Sequence, residues 1–442
     1  VRALLLLLIL FFSVQAAAQV VSIDSLERLV GSERNGQRKV QLLNELAFNY
    51  FDIDLEKAGA SATQALALSR ELNEPLGEGW AMAYQGIYYL LNGDLSRASE
   101  IATQSLRLSR RIKAHDLEAY SLTALGSICR DRGSFDSAMY FYSQAQAIAS
   151  EYDDHYYQSV IRINKARLYL VQTMPDSALA ETLASLEHYR KANKKESPVR
   201  SWVVQASCYQ QLFRYKDAEE IIAKARIAAP YDSAVQSQSR VIEGEMFFSQ
   251  GDFDAALKSW SQVLNFHRRL NYKYALGNLL FRMGEAFEEQ GFYELSADYL
   301  LKALAIAETS SYQFLAGQIH YELAWVFYRN SNIHLAQENI DKAEVIFRKI
   351  GSDLQLAGCL NVNGLIQFKK NNLDSSLYFH LQSLAAREKI GNKTALSSSL
   401  FNLGELHNKR KEYHKSLRYL WRGVRLDESI GDNYGRSLYY VQ

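Results

Sequence analysis

Ten small residues recur along the chain at almost constant spacing: Ala47, Gly86, Gly126, Ala166, Ala206, Gly244, Gly284, Ala324, Gly364 and Gly404. Of the nine intervals between them, seven are 40 residues, one is 39 and one is 38. Self-similarity at such a period marks stacked repeats, in which each unit buries its apolar face only against its neighbours. A second small residue follows about twelve positions later, from Ala58, Ala98 and Ala138 through Ala178, Ala218, Ala256, Ser296 and Ala336 to Ser376 and Ser416. A third recurs at Ala65, Ala145, Ala225, Ala303 and Ala343.

Each repeat reads as two helical stretches around a turn. In the third, Tyr120 to Arg130 carries apolar residues at helical spacing, Arg132-Gly133-Ser134-Phe135-Asp136 breaks the pattern, and Ser137 to Ala149 resumes it. The same turn recurs at Asn92-Gly93-Asp94-Leu95, Gln250-Gly251-Asp252-Phe253 and Gln290-Gly291-Phe292-Tyr293. Glycine there predicts a left-handed end to the first helix, with Ser331 or Asn371 in its place elsewhere. The small positions have a packing reason: two helices cross closely only where one carries no bulk, and a neighbouring aromatic fills the space beside it.

A chain of 442 residues would otherwise suggest several globular domains. With 48% hydrophobic and 22% charged residues and only 4 prolines, the composition suits an ordered, helix-rich protein. The net charge of +1 excludes a global field for nucleic acid or an anionic membrane. Cys129, Cys208 and Cys359 lie at least 79 residues apart, each within a predicted helix. They read as buried small hydrophobes and not as metal ligands, which want close spacing across a turn.

The ends depart from the repeat. Residues 1–18, with Arg2, the apolar run Ala3 to Phe12 and Ala16-Ala17-Ala18, have the layout of a secretory signal peptide. Residues 19–37 are a polar lead-in; Ile23, Leu26 and Leu29 suit about two turns of helix, which Gly31 and Gly36 are expected to break. Residues 431–442 look like the start of a further, truncated repeat, whose Leu438, Tyr439 and Val441 would lack a partner helix. The chain is therefore expected to be part of a longer protein.

The pattern Leu125-Gly126 followed by Ala138 and Tyr142 resembles the tetratricopeptide repeat. So do Ala256 with Trp260, Leu403-Gly404, and Ala218 followed by Pro230. The resemblance covers residues 38–430 and implies an all-α solenoid of ten such repeats in a right-handed superhelix. The period departs from the usual 34 or so, and the added length would extend each helix by nearly a turn. A HEAT-like array also runs near 40 residues, but the recurrent glycine turn and the three small positions argue against it. The opening Asp24-Ser25-Leu26, with Asp54-Leu55-Glu56-Lys57-Ala58, is similar to the periplasmic part of bacterial sensor histidine kinases. That resemblance implies an exported, periplasmic interaction and sensing module, tethered to the inner membrane through a transmembrane helix downstream.

No glycine-rich phosphate loop, GxSxG, HExxH or paired CxxC occurs, and no cofactor or metal is expected. His380 and His407 fall at core-facing repeat positions. Glu285, Glu288 and Glu289 read as a solvated helix face before a carboxylate cluster, and the basic run Lys409-Arg410-Lys411 likewise. Tetratricopeptide arrays hold peptides or partner domains in a concave groove lined by the first helices. The groove positions are three before, one after and four after the small residue. In repeats seven to nine these are Phe281, Glu285 and Glu288, then Tyr321, Trp325 and Tyr328, then Asn361, Leu365 and Phe368. Phe281, Tyr321, Trp325, Tyr328 and Phe368 are the candidate partner-binding residues, because amphipathic aromatics concentrate at binding hot spots; packing of these rings on the adjacent repeat is the alternative. The expected partner is a protein or peptide segment, not nucleic acid. Two other readings stay open: a free periplasmic scaffold, and the repeat region of a longer enzyme.

Overall fold

The computed structural model describes residues 23–194, 197–391 and 393–430. The expected signal peptide and the truncated repeat lie outside them. Twenty-one helices and no strand are found among the described residues. After α1 (residues 23–32), the chain runs through ten antiparallel pairs: α2 (Gly36–Tyr50) with α3 (Leu55–Glu71), α4 (Pro75–Leu91) with α5 (Leu95–Ile112), α6 (His115–Arg132) with α7 (Phe135–Glu151), α8 (His155–Val171) with α9 (Pro175–Lys191), and α10 (Val199–Gln211) with α11 (Tyr215–Ala228). Then come α12 (Ser233–Ser249) with α13 (Phe253–Leu270), α14 (Lys273–Glu289) with α15 (Tyr293–Thr309), α16 (Gln313–Arg329) with α17 (Ile333–Ile350), α18 (Asp353–Lys369) with α19 (Leu373–Ile390), and α20 (Lys393–Lys409) with α21 (Tyr413–Ile430). Most helices have 17 or 18 residues, the extra length that the long period requires.

The chain divides into two compact units. Unit 1 holds the described residues up to Leu279 with Thr309–Ser311; unit 2 holds Leu280–Glu308 and Tyr312 onward.

The turns explain the period. Gly93, Gly133, Gly251 and Gly291 all have positive φ, as do Ser331 and Asn371 where glycine is absent. The next residue often caps the second helix: Asp94 accepts from the Arg97 amide at 3.0 Å and Asp252 from the Ala255 amide at 3.1 Å. Gly31 does not break α1, which continues to residue 32, and Gly36 is the first residue of α2 behind the Asn35 cap. With Asn35 supplying the cap, the second helix starts in spite of the glycine.

What fills the space at the small position is the residue sixteen later, on the second helix. Tyr142 lies over Gly126, Trp260 over Gly244, Leu300 over Gly284, His380 over Gly364 and Leu420 over Gly404. Successive repeats are joined by buried hydroxyls at the third small position. Ser185 bonds Ser159 at 2.9 Å and Ser201 at 3.2 Å, linking α9 to α8 and α10, and Ser105 bonds Ser121 at 2.9 Å, linking α5 to α6.

Candidate partner-binding groove

The five residues singled out from the sequence all fall in unit 2, on α14, α16 and α18. Phe281 is buried, at 5% exposure, and so does not belong to an accessible face. Tyr321, Trp325, Tyr328 and Phe368 are half-buried. Three of them form one cluster on α16. The Trp325 and Tyr328 rings meet edge to face at 5.9 Å, and the Trp325 indole donates to the Tyr321 hydroxyl. Burial pushes the Tyr321 phenol up to about 12 against the pull of that hydrogen bond, so it stays neutral. On α18, Gly358 lets the Tyr321 ring approach: a β-carbon there would lie 3.2 Å from it.

Phe368 enters through a ladder of cations that the sequence analysis did not single out. Five residues after the small position stand Arg329, Lys369 and Lys409, on α16, α18 and α20. Each reaches back to the preceding first helix, onto the residue four after its small position. Arg329 pairs with Glu288 at 2.9 Å, Lys369 Nζ sits 4.8 Å from the centre of the Tyr328 ring, and Lys409 Nζ sits 4.3 Å from that of Phe368. The signal was present, since cations recurred at 40-residue intervals. Its meaning depended on which neighbour each side chain reached.

At the α14 end the face is acidic. Glu288 is buried at 2% exposure and is not part of a solvated face. Burial drives its carboxyl up to about 7 despite Arg329, and the Glu289 and Glu285 charges add to the rise. Glu322 on α16 is pushed well above the usual carboxylate range, first by burial and then by Glu285 and Glu288. Arg282 reaches Glu285 at 2.7 Å. One stretch of this surface thus sets carboxyl groups that burial holds protonated, Glu322 above all, beside an aromatic cluster with a polar edge. In the tenth repeat, Arg410 pairs with Asp374 and Glu412, and His407 bonds Glu412 at 2.8 Å.

The three cysteines are unpaired, Cys208 and Cys359 are buried, and burial raises all three thiols. Among the described residues no group of His, Cys, Asp and Glu could hold a metal ion.

No family model and no curated protein matches the sequence. Among solved structures, a signal-transduction ATPase with numerous domains and a tetratricopeptide repeat sensor, from Pyrococcus horikoshii, matches with a TM-score of 0.53 at 14% identity. The match covers 86% of this chain and 55% of that one. The chain has the tetratricopeptide fold. Two other tetratricopeptide structures match at 14% identity. The Cut9–Hcn1 hetero-tetramer of the APC/C has a TM-score of 0.46 over 95% of this chain and 92% of that one. A Rap protein complexed with competence and sporulation factor has 0.45 over 89% and 99%. Likeness at this identity bears on fold alone.

Proposed function

We propose that this tetratricopeptide chain is a non-catalytic protein-interaction and sensing module of an exported signalling protein, and that it holds a partner segment on the inner face of α14, α16 and α18. The observation that carries the reading is the α16 cluster. Trp325 is half-buried and flanked by Tyr321 and Tyr328, with buried carboxylates on one side and lysine-covered rings on the other. Such a face suits a segment with an apolar side chain for Trp325 and a cationic one whose arrival would draw the proton off Glu322. Sensing requires that the partner bind two states of the array with different affinity.

Two experiments test this. A partner is captured on the full chain and identified, and its affinity for the Trp325→Ala variant is then measured. The expected loss is about tenfold or more, the usual range for an aromatic hot spot; an unchanged affinity for every partner would sink the groove assignment. Export rests on residues 1–18 and is tested by fusing them to a phosphatase that is active only outside the cytoplasm. Among the described residues no helix is long and apolar enough to cross a membrane.

A further inference from the structure

Unit 1 carries an inner face of a different kind. The positions that select Trp325 and Tyr328 in α16, one and four after the small residue, select Arg167 in α8 and Arg130 in α6. Arg200, in the first turn of α10, completes a set of guanidinium groups from three successive first helices. Arg130 is satisfied by Asp131, its Nε donating to the carboxylate at 2.7 Å, and Arg200 pairs with Asp52 at 2.8 Å. Arg167 makes no hydrogen bond or ion pair among the described residues. It is half-buried, and burial together with the charges of Arg130 and Arg200 lowers it to about 10.

Beside the arginines lies an aromatic cluster. Trp80 and Tyr84 stack at 5.7 Å, and Tyr120 meets them at 5.3 and 5.7 Å. All three rings are part-exposed, and the Arg200 charge acts on the Tyr120 hydroxyl, so rings and arginines share one face. Three guanidinium groups here meet two contacting carboxylates, which leaves Arg167 without an anionic partner. A guanidinium fork matches a carboxylate in two parallel hydrogen bonds.

We propose that this face of unit 1 binds an acidic peptide segment, one carboxylate docking on Arg167 between Arg130 and Arg200, with a neighbouring apolar side chain on the Trp80–Tyr84–Tyr120 cluster. The site is separate from the Trp325 face, and neither proposal depends on the other.

The test uses the full chain and a fluorescein-labelled peptide of alternating Glu and Tyr, followed by anisotropy. Saturable binding is expected, weakened about tenfold or more by Arg167→Gln, less by Arg167→Lys, and not by Trp325→Ala. A peptide with Gln for Glu is expected to bind at least about tenfold more weakly. Circular dichroism checks that each variant is folded, and Arg167→Lys keeps the test decisive if Arg167→Gln is not. No saturable binding at millimolar peptide, or equal binding of the Gln peptide, overturns the proposal. So does displacement by inorganic phosphate as effective as by unlabelled peptide, since the site would then read a small anion and not a segment. Loss on Trp325→Ala with Arg167→Gln unchanged would leave the unit 2 groove standing and this site refuted.

Discussion

A β-carbon on Gly244 would lie 2.2 Å from Nε1 of Trp260, whereas one on Gly86 meets nothing closer than 3.6 Å, at the Ala102 side chain and the Ala98 carbonyl. Trp260 and Ala102 hold the same place, sixteen residues after their glycine, so volume at one position is traded against volume at the other. Trp260 also donates to the Val241 carbonyl at 3.2 Å, a bond that a displaced indole would strain. Gly244→Ala should therefore destabilise by about 2–3 kcal/mol, as overpacking usually does. Gly86→Ala should stabilise by up to about 1 kcal/mol, because alanine is the better helix former and the space exists. Thermal melting of the two variants checks this; shifts in the same direction would refute the pairing. The small residues themselves were legible as a period. Their fillers were not, although Tyr142, Trp260, His380 and Leu420 are spaced as regularly, because the spacing does not say which helix face turns inward.

The pairing of α18 with α19 turns on a histidine. His380 is 1% exposed, its ring lies over Gly364, and burial, aided by Arg387, depresses it to about 4. His267 on α13 is likewise held at about 4 by burial. Both are neutral in the folded pair and have an ordinary value near 6.5 when unfolded. Below that value the unfolded chain binds more protons, so the stability they contribute is whole above about pH 6.5 and is lost as pH falls towards 4. Each should lose about 2 kcal/mol between pH 8 and pH 5. Glu288 acts oppositely: its raised pKa makes it destabilising as pH climbs through about 7, so acidification relieves it. The sum is thus partly masked, and the informative measurement is the difference between the wild type and His380→Phe. The variant keeps a ring over Gly364, and its stability should fall less on going from pH 8 to pH 5. Equal pH profiles would mean that His380 is not held neutral. The core placement of His380 was legible from its repeat position; its burial against a glycine was not. At this scale helix type and turn chemistry were read correctly, while helix ends came out short, as α6 and α7 show, because cap residues and first turns carry no apolar signal.

Unit 1 is not a purely one-dimensional stack. The turn before α14 returns to the first two repeats: the Tyr272 hydroxyl donates to the Phe51 carbonyl, Asn271 donates to Asn92 at 2.7 Å, and the Tyr272 ring packs with Leu26, Leu42 and Leu46. Arg200 reaches Asp52 from the fifth repeat. These contacts span 221, 179 and 148 residues, and no periodicity could announce them, because they depend on how small rotations accumulate over several repeats. Arg167 and Arg130 occupy the same repeat positions as Trp325 and Tyr328, and the stacking of the successive helices α6, α8 and α10 sets them near Arg200. In an open solenoid a lesion is felt by neighbouring repeats only. Here Tyr272→Ala removes a hydrogen bond and a half-buried ring that join the sixth and seventh repeats to the first. Amide exchange should therefore rise in α2 and in the turn at residues 51–54, as well as around residues 271–273, while α18 and α19 in unit 2 stay protected. Tyr272→Phe, which keeps the ring, should give the smaller effect of one lost hydrogen bond, about 1 kcal/mol. If exchange rose only around residues 271–273, the return contact would contribute nothing to the first repeat. Unit 1 would then behave as an open stack whose ends merely lie near each other.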